Sequence, residues 1–424
     1  MPRKLSLLAI CGTAAMVSGF QPVSPAGEVT AWKNGYWFDG TSFQKRDMYS
    51  VDGRLTAKQP RHTDRTIDLT GGYVTPAFGE AHNYNLPAPK TNEMIKTYLS
   101  QGIFYVMVQA NIPEARAQLE GLINAPGLID AVFANGGFTA PGGHPSALVE
   151  RNIRSGSMTA GDRDGGFLLP VSSVADVERQ WLRVRRQRPD FIKMVLAYSE
   201  ERGPGWSPPA SGDRYGLDPN QIPERIVQLA HRDKLRVSAH VESAGDFEVA
   251  VAAGADIIAH MPGFWPDTQR IASKGVGIYE IKEETARRAG GQHITVVTTL
   301  GGQLRDFEGE QAAASYRKAL LDVYRHNFEV LTRNGVRIAI GSDQYRSTSV
   351  PEALAIHKAG LIAPAHLLRA LSTDTANTIL PSRSSFNLTE ASPADFLVFD
   401  TDPVADFTAI ERIRLRVKDG RQIP

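Results

Sequence analysis

The chain has 424 residues, 42% hydrophobic and 22% charged, which is the balance of a folded globular protein and excludes disorder throughout. Its 47 basic and 46 acidic residues leave a formal net charge of +1, so no global field draws it to nucleic acid or an anionic membrane. A single cysteine excludes an internal disulfide and any CxxC site, so chemistry must come from His, carboxylates, Lys, Ser or a metal held by nitrogen and oxygen.

Residues 1–26 read as a secretory signal peptide. Arg3 and Lys4 form a positive start, and Leu5 to Val17 is an apolar run of small residues. That run is shorter than the about 20 apolar residues a membrane span requires. Val17-Ser18-Gly19 or Ser24-Pro25-Ala26 offers a cleavage site, and the expected location is periplasmic or secreted. A lipid anchor at Cys11 is disfavoured, because the bulky Ile10 precedes it where a small residue is wanted.

Residues 27–72 carry short strand-like pieces with turn signals, such as Tyr36–Gly40, Ser50–Arg54 and Thr66–Leu69. Residues 382–424 repeat that style in Ala394–Phe399 and Ile413–Val417, followed by Asp419-Gly420. Neither flank is large enough to bury a core alone, so the two are expected to pair into one small β-sandwich domain.

Between them, residues 73–381 alternate apolar β-branched runs with helix-period segments. The runs are Tyr73–Ala81, Ile103–Gln109, Ala131–Asn135, Phe191–Leu196, Leu235–Val241, Asp256–His260, Ile294–Leu300 and Val336–Ser342. The clearest helical segments are Pro113–Asn124, Ser172–Arg186, Pro223–Asp233, Ala244–Ala253, Ile281–Ala289 and Glu310–Asn334. This α/β pattern predicts parallel strands closing into a (β/α)8 TIM barrel. An open doubly wound sheet is the second reading; it normally announces itself by a Gly-rich phosphate turn, and none follows the first strand. The long Pro-, Gly- and Trp-containing segment from Ser199 to Gln221 is placed as a lid at the barrel mouth.

Polar residues fall where the strands finish. The first run continues Glu80-Ala81-His82-Asn83-Tyr84-Asn85, the fourth carries Lys193, the fifth ends in Ala239-His240, the sixth in Ala259-His260 and the eighth in Gly341-Ser342-Asp343. In a parallel barrel the C-terminal strand ends meet on one face, so three imidazoles, a carboxylate and a lysine are expected together. A single such residue reads as a satisfied core His, a helix-capping Asp or a snorkelling Lys. Several buried together without partners would cost a few kcal/mol each, and a shared metal removes that cost.

These motifs resemble the metal-dependent amidohydrolase superfamily, most closely its imidazolonepropionase-like and Xaa-Pro-dipeptidase-like branch. The resemblance spans 30–424 and rests on GGYVTPAFGEAH, VSAHVESAGDFEVAVAAGADIIAHMPG, GSD and SPADFLVFDTDPVADFTAIERIRLRVKDGRQI. It implies that His82 ligates the more buried metal and that Lys193 is carboxylated to a bridging carbamate. It implies further that His240 and His260 hold the second metal, and that Asp343 is both ligand and proton shuttle. The family has His-x-His at the end of strand 1, whereas this chain has Tyr84 at the second position. Tyrosine is neutral near pH 7, and Asn85 points to the opposite strand face. One firmly held divalent metal, zinc by default, is therefore expected through Lys193, His240 and His260, with a weak or absent second site.

Substrate contacts are expected from His144, which can polarise a carbonyl or meet a carboxylate, and from Tyr198, which can donate to an oxyanion. Arg151, Arg154 and Arg346 are further carboxylate candidates, and Trp206 and Phe264 are candidates for the mouth lining. The leading functional expectation is an exported hydrolase of an amide bond, in a dipeptide or a cyclic amide, with Asp343 as general base then acid. The alternatives are a cyclic-amidine deaminase of the same superfamily and a degenerate barrel that binds a ligand without catalysis. The partner is a small-molecule or short-peptide substrate; the oligomeric state stays open, homo-oligomers included.

Overall fold

The computed structural model describes residues 28–87, 90–204, 206–208, 214–309, 314–383 and 385–424. The expected signal segment, with Cys11, lies outside them, as does part of the expected lid.

Eight parallel barrel strands follow one another in chain order. They are Phe78–Asn83, Ile103–Val108, a split third strand of Asp130–Phe133 and Gly137–Thr139, Ile192–Val195, Val237–His240, Ile257–Ala259, Thr295–Val297 and Arg337–Ala339. Each pairs with its neighbour in parallel register. Backbone hydrogen bonds from Ala81 N to the Ile340 carbonyl (2.9 Å) and from Asp343 N to the His82 carbonyl (2.9 Å) join the eighth strand to the first. The closed barrel expected from the alternation is therefore present. Its strands read as unbroken apolar runs because both faces are covered; all six residues of Ile103–Val108 are buried.

The third strand breaks at Asn135, whose φ of 61° turns the chain. Its first half bonds to the second strand and its second half to the fourth. A side chain at Gly136 would collide with the Gly166 carbonyl. That close approach lets an additional strand, Leu168–Pro170, pair beside Gly137–Thr139.

Helices cover the outside where capping and periodicity agree. Ser243 and Asp246 form a capping box on Ala244–Ala253, and Gly254 closes the helix at φ 83°. Ser173 caps Val174–Gln187 by accepting from Asp176 N. Pro113–Asn124, expected as a helix, is only a 3-10 turn over Glu114–Leu119. Gly121 (φ 74°) and Asn124 (φ 57°) leave the helical region there, and Leu119 alone in the turn is buried.

The two flanks pair into one small β domain, as expected, built as a mixed eight-stranded sheet. Its organising strand is Thr30–Phe38, nine residues long. Its first half pairs with Arg65–Asp68 and its second half with Tyr73–Pro76, so the sheet branches and wraps its own core. Trp32, Trp37, Met48, Val74, Phe396 and Val398 fill that core. Tyr73–Ala81, read as one strand, is thus two: Tyr73–Pro76 belongs to the flank sheet, and the barrel begins at Phe78. At the seam, buried Lys418 bonds to Asp130 (2.9 Å) and Asp395 (3.4 Å), Arg383 grips Asp130 with both terminal nitrogens (2.9 and 2.8 Å), and the Tyr105 hydroxyl donates to Asp395 (2.6 Å). No helix among the described residues is long and apolar enough to cross a membrane.

Candidate metal centre

The barrel brings distant histidines into ring contact at its C-terminal mouth. The His82 and His260 rings lie 4.4 Å apart between centroids, and His240 and His260 lie 4.5 Å apart. Asp343 spans two of them: its Oδ1 is 3.4 Å from His82 Nε2, and its Oδ2 is 3.8 Å from His260 Nδ1. One donor atom each from His82, His260 and Asp343 falls within 4.8 Å of the others. Lys193 and His240 line the same cavity as Asp343 but stand outside that triplet. The Lys193 amine donates to Gln109 Oε1 (3.2 Å), which also accepts from Ser238 Oγ (2.9 Å). His240 Nε2 meets Glu242 Oε1 at 3.1 Å. Among histidines and carboxylates the close group is His82–His260–Asp343, three of the five expected ligands, with the other two, Lys193 and His240, on the wall of the adjoining cavity.

Several of these residues sit in backbone conformations that L-amino acids adopt at a cost. His260 has φ 127°, Asp343 φ 49°, Tyr198 φ 52° and Thr299 φ 55°. All four follow strand ends at the mouth, where strain is held by surrounding structure in return for side-chain direction.

Burial dominates the electrostatics. It holds His82 and His260 well below the ordinary imidazole value and His240 at about 3, and nearby Lys193 pushes each the same way. The imidazoles are thus neutral and keep lone pairs. Burial raises the Asp343 carboxyl against the opposing pull of Lys193, and lowers the Lys193 amine against the pull of Asp343. His82 Nδ1 and His260 Nε2 are buried without a hydrogen-bond partner among the described residues. The nitrogens facing Asp343 are the other two, His82 Nε2 and His260 Nδ1, which meet the Tyr84 and Thr299 hydroxyls; neutral imidazoles grouped with a carboxylate, each keeping one unpartnered nitrogen, fit a divalent cation.

A layer of carboxylates that the sequence reading missed fixes these donors. Glu80 Oε1 accepts from His82 N (3.1 Å) and Ser342 N (2.9 Å), locking the first strand to the eighth. Asp246 accepts from the backbone N–H groups of Tyr198 (2.8 Å), Ser199 (2.8 Å) and Glu242 (3.0 Å), joining the ends of strands 4 and 5. Glu352 accepts from Thr298 Oγ1 (2.6 Å) and Leu300 N (2.7 Å), and the intervening Thr299 meets His260 Nδ1 with its hydroxyl (2.9 Å). Glu80 and Glu242 stand two residues from His82 and His240, so strand period pointed to them; Glu352 had no local signal.

Tyr84, where the sequence resemblance implied a second histidine, turns its side chain to His82. Its hydroxyl is 3.0 Å from His82 Nε2, and burial, with Asp343 nearby, pushes the phenol well above its ordinary value.

A cavity of about 400 Å³ opens over the centre. His144 reaches it and stacks on His240 at 4.6 Å. Tyr198 reaches it too, with Arg270 covering its ring at 3.5 Å. Phe264 lines the wall and stacks on His260 at 3.8 Å. Of the three arginine candidates, Arg151 lines the cavity, and Arg154 and Arg346 do not. Trp206 packs on Arg202 (4.0 Å) and Tyr215 instead of the cavity wall.

No protein-family model matches the sequence, and no curated protein matches it. Solved structures do match in fold. An amidohydrolase is 20% identical with a TM-score of 0.66, over 93% of this chain and 98% of that one. A Xaa-Pro dipeptidase with methionine bound in its active site is 16% identical with a TM-score of 0.69, over 93% and 100%. The ochratoxinase of A. niger is 16% identical with a TM-score of 0.69, over 94% and 96%. The chain thus shares the fold of these solved structures, barrel and flanking sheet together.

Proposed function

We propose that this protein is a metal-dependent amidohydrolase that cleaves an amide bond in a small molecule or short peptide. The observation that carries the reading is the convergence of His82, His260 and Asp343 within 4.8 Å, beside Lys193 and His240, under a cavity at the C-terminal mouth of the barrel. His82, His260 and Asp343 would hold the cation, with His240 and Lys193 adjacent; carboxylation of Lys193 would add an oxygen donor. A divalent cation in such a site polarises a carbonyl and lowers the pKa of water.

The remaining chemistry belongs to the chain. Asp343 faces the cavity and takes a proton from the attacking water at a carboxylate oxygen, then returns it to the departing nitrogen. Water adds across the C–N bond, giving a carboxylic acid and an amine. His144, stacked on His240, orients the scissile carbonyl. With the N-terminal segment read as a signal peptide, the enzyme acts outside the cytoplasm.

Metal analysis of the purified chain, paired with assays of dipeptides, cyclic amides and ammonia release, tests this. Bound metal with peptide or cyclic-amide cleavage is the expected result. Ammonia release from cyclic amidines alone would establish the deaminase, and a chain with neither metal nor turnover would be the non-catalytic barrel.

A further inference from the structure

Three large apolar side chains among the described residues are conspicuously exposed: Leu182 (63%), Trp265 (72%) and Tyr345 (62%). Two of them, Trp265 and Tyr345, line the cavity that also holds Lys193, His240 and Asp343. Trp265 lies in the loop after barrel strand 6, and Tyr345 in the loop after strand 8. These loops flank the position that faces strand 3 across an eight-stranded ring.

The loop after strand 3 carries the helix Ser146–Arg154, and Arg151 projects from it into the same cavity. The other charged lining groups are engaged. Asp267 pairs with Arg214 and Arg270, Glu242 with His240, and Lys193 with Gln109. The Arg151 guanidinium is exposed and has no ion pair or side-chain hydrogen bond among the described residues. Leu148 and Val149 on the same helix, with Pro145 and Phe167, make the surrounding wall apolar.

From these placements we infer that the substrate is an amide with a free carboxylate on one side of the scissile bond and a flat apolar group on the other. Arg151 receives the carboxylate at the strand 3 wall, and Trp265 and Tyr345 receive the flat group at the opposite wall. This rests on the amidohydrolase reading and narrows it to acidic N-aroyl or N-arylalkanoyl amino acids. Guanidinium matches carboxylate in charge and fork geometry, and exposed aromatic faces gain area by stacking.

The test uses the full chain and three probes: N-(2-naphthoyl)-L-alanine, its carboxamide, and N-acetyl-L-alanine. The naphthoyl acid should exceed the carboxamide in kcat/KM by roughly tenfold to a hundredfold, the value of one charge-assisted hydrogen bond. Arg151→Met should collapse that acid-to-carboxamide ratio toward one. Trp265→Ala should collapse the ratio of naphthoyl to acetyl acid, leaving the acid-to-carboxamide ratio in place. Equal wild-type rates for acid and carboxamide, or an Arg151→Met ratio unchanged from wild type, overturn the inference while amide hydrolysis stands. If no probe is cleaved, fluorescence titration of the naphthoyl acid and carboxamide decides. Arg151-dependent preference for the acid upholds the subsite while the catalytic reading falls, and equal or absent binding overturns the subsite as well.

Discussion

The Tyr84 hydroxyl lies 3.0 Å from Nε2 of His82, so a neutral phenol caps an imidazole nitrogen that faces the Asp343 carboxylate. The second imidazole of a His-x-His pair is thereby exchanged for a group that binds the first histidine. Replacing it should change metal stoichiometry before it changes anything else. Wild-type protein is expected to retain about one equivalent of divalent metal, and Tyr84→His about two, as a further neutral imidazole joins the donor set. Elemental analysis after gel filtration measures this; two full equivalents in the wild type would show that Tyr84 does not limit the site.

Asp343 is the one carboxylate in the donor triplet. Asp343→Asn keeps its shape and removes its capacity to accept a proton. The variant should fold as the wild type does by circular dichroism and lose about a hundredfold to ten-thousandfold in kcat. Wild-type turnover in this variant would remove Asp343 from the proton path.

Gly341 lies just past the end of strand 8, against His82 of strand 1. A Cβ there would stand 2.6 Å from both the backbone nitrogen and the Cβ of His82, with Val297 at 2.8 Å. One of those neighbours must move. Gly341→Ala should lower stability by about 1–3 kcal/mol, the cost of overpacking a filled core, and should weaken metal retention by shifting His82. Chemical denaturation and metal analysis on one preparation read both effects; unchanged metal content would show that His82 does not bear the displacement.

The buried cluster at the seam gives stability a pH window. Burial alone would raise Asp130, but Arg383 and Lys418 outweigh it and hold the carboxyl below its ordinary value. Its contribution is present above the unfolded carboxylate value and is lost as pH falls through the lower folded value. Lys418 goes the other way: burial lowers it, and Asp395, Asp130 and Asp419 together raise it above the ordinary lysine value. Its contribution is complete below that ordinary value and is lost as pH rises through the higher folded one. Lys418→Met removes the cation and leaves Asp395 buried, so stability at neutral pH should fall by about 3–5 kcal/mol. Acid unfolding should also begin at a higher pH than in the wild type, because Asp130 keeps only Arg383. Urea titrations between acid and neutral pH test both; an unshifted acid limb would show that Lys418 does not stabilise the Asp130 carboxylate.

Much of the barrel was legible because parallel strands covered on both faces must be written as continuous apolar runs, and a polar residue ending such a run has a physical reason to be there. His82, Lys193, His240, His260 and Asp343 were found that way. Glu352 was not. It lies in the helix Ser349–Lys358, far in sequence from the Thr298–Gly301 turn whose position it sets, and no local pattern records that pairing.

The sequence by itself determined the number and order of the strands, the closure of the sheet and the residues at its mouth, because these follow from periodicity and from the side chains at strand ends. The tertiary structure decided the branching of the flank sheet around one long strand, the grouping of His82, His260 and Asp343, and which of Arg151, Arg154 and Arg346 lines the cavity, namely Arg151. Each of these is a distance between segments remote in the chain, and such distances are set by how the strands and helices pack, which residue order alone does not encode.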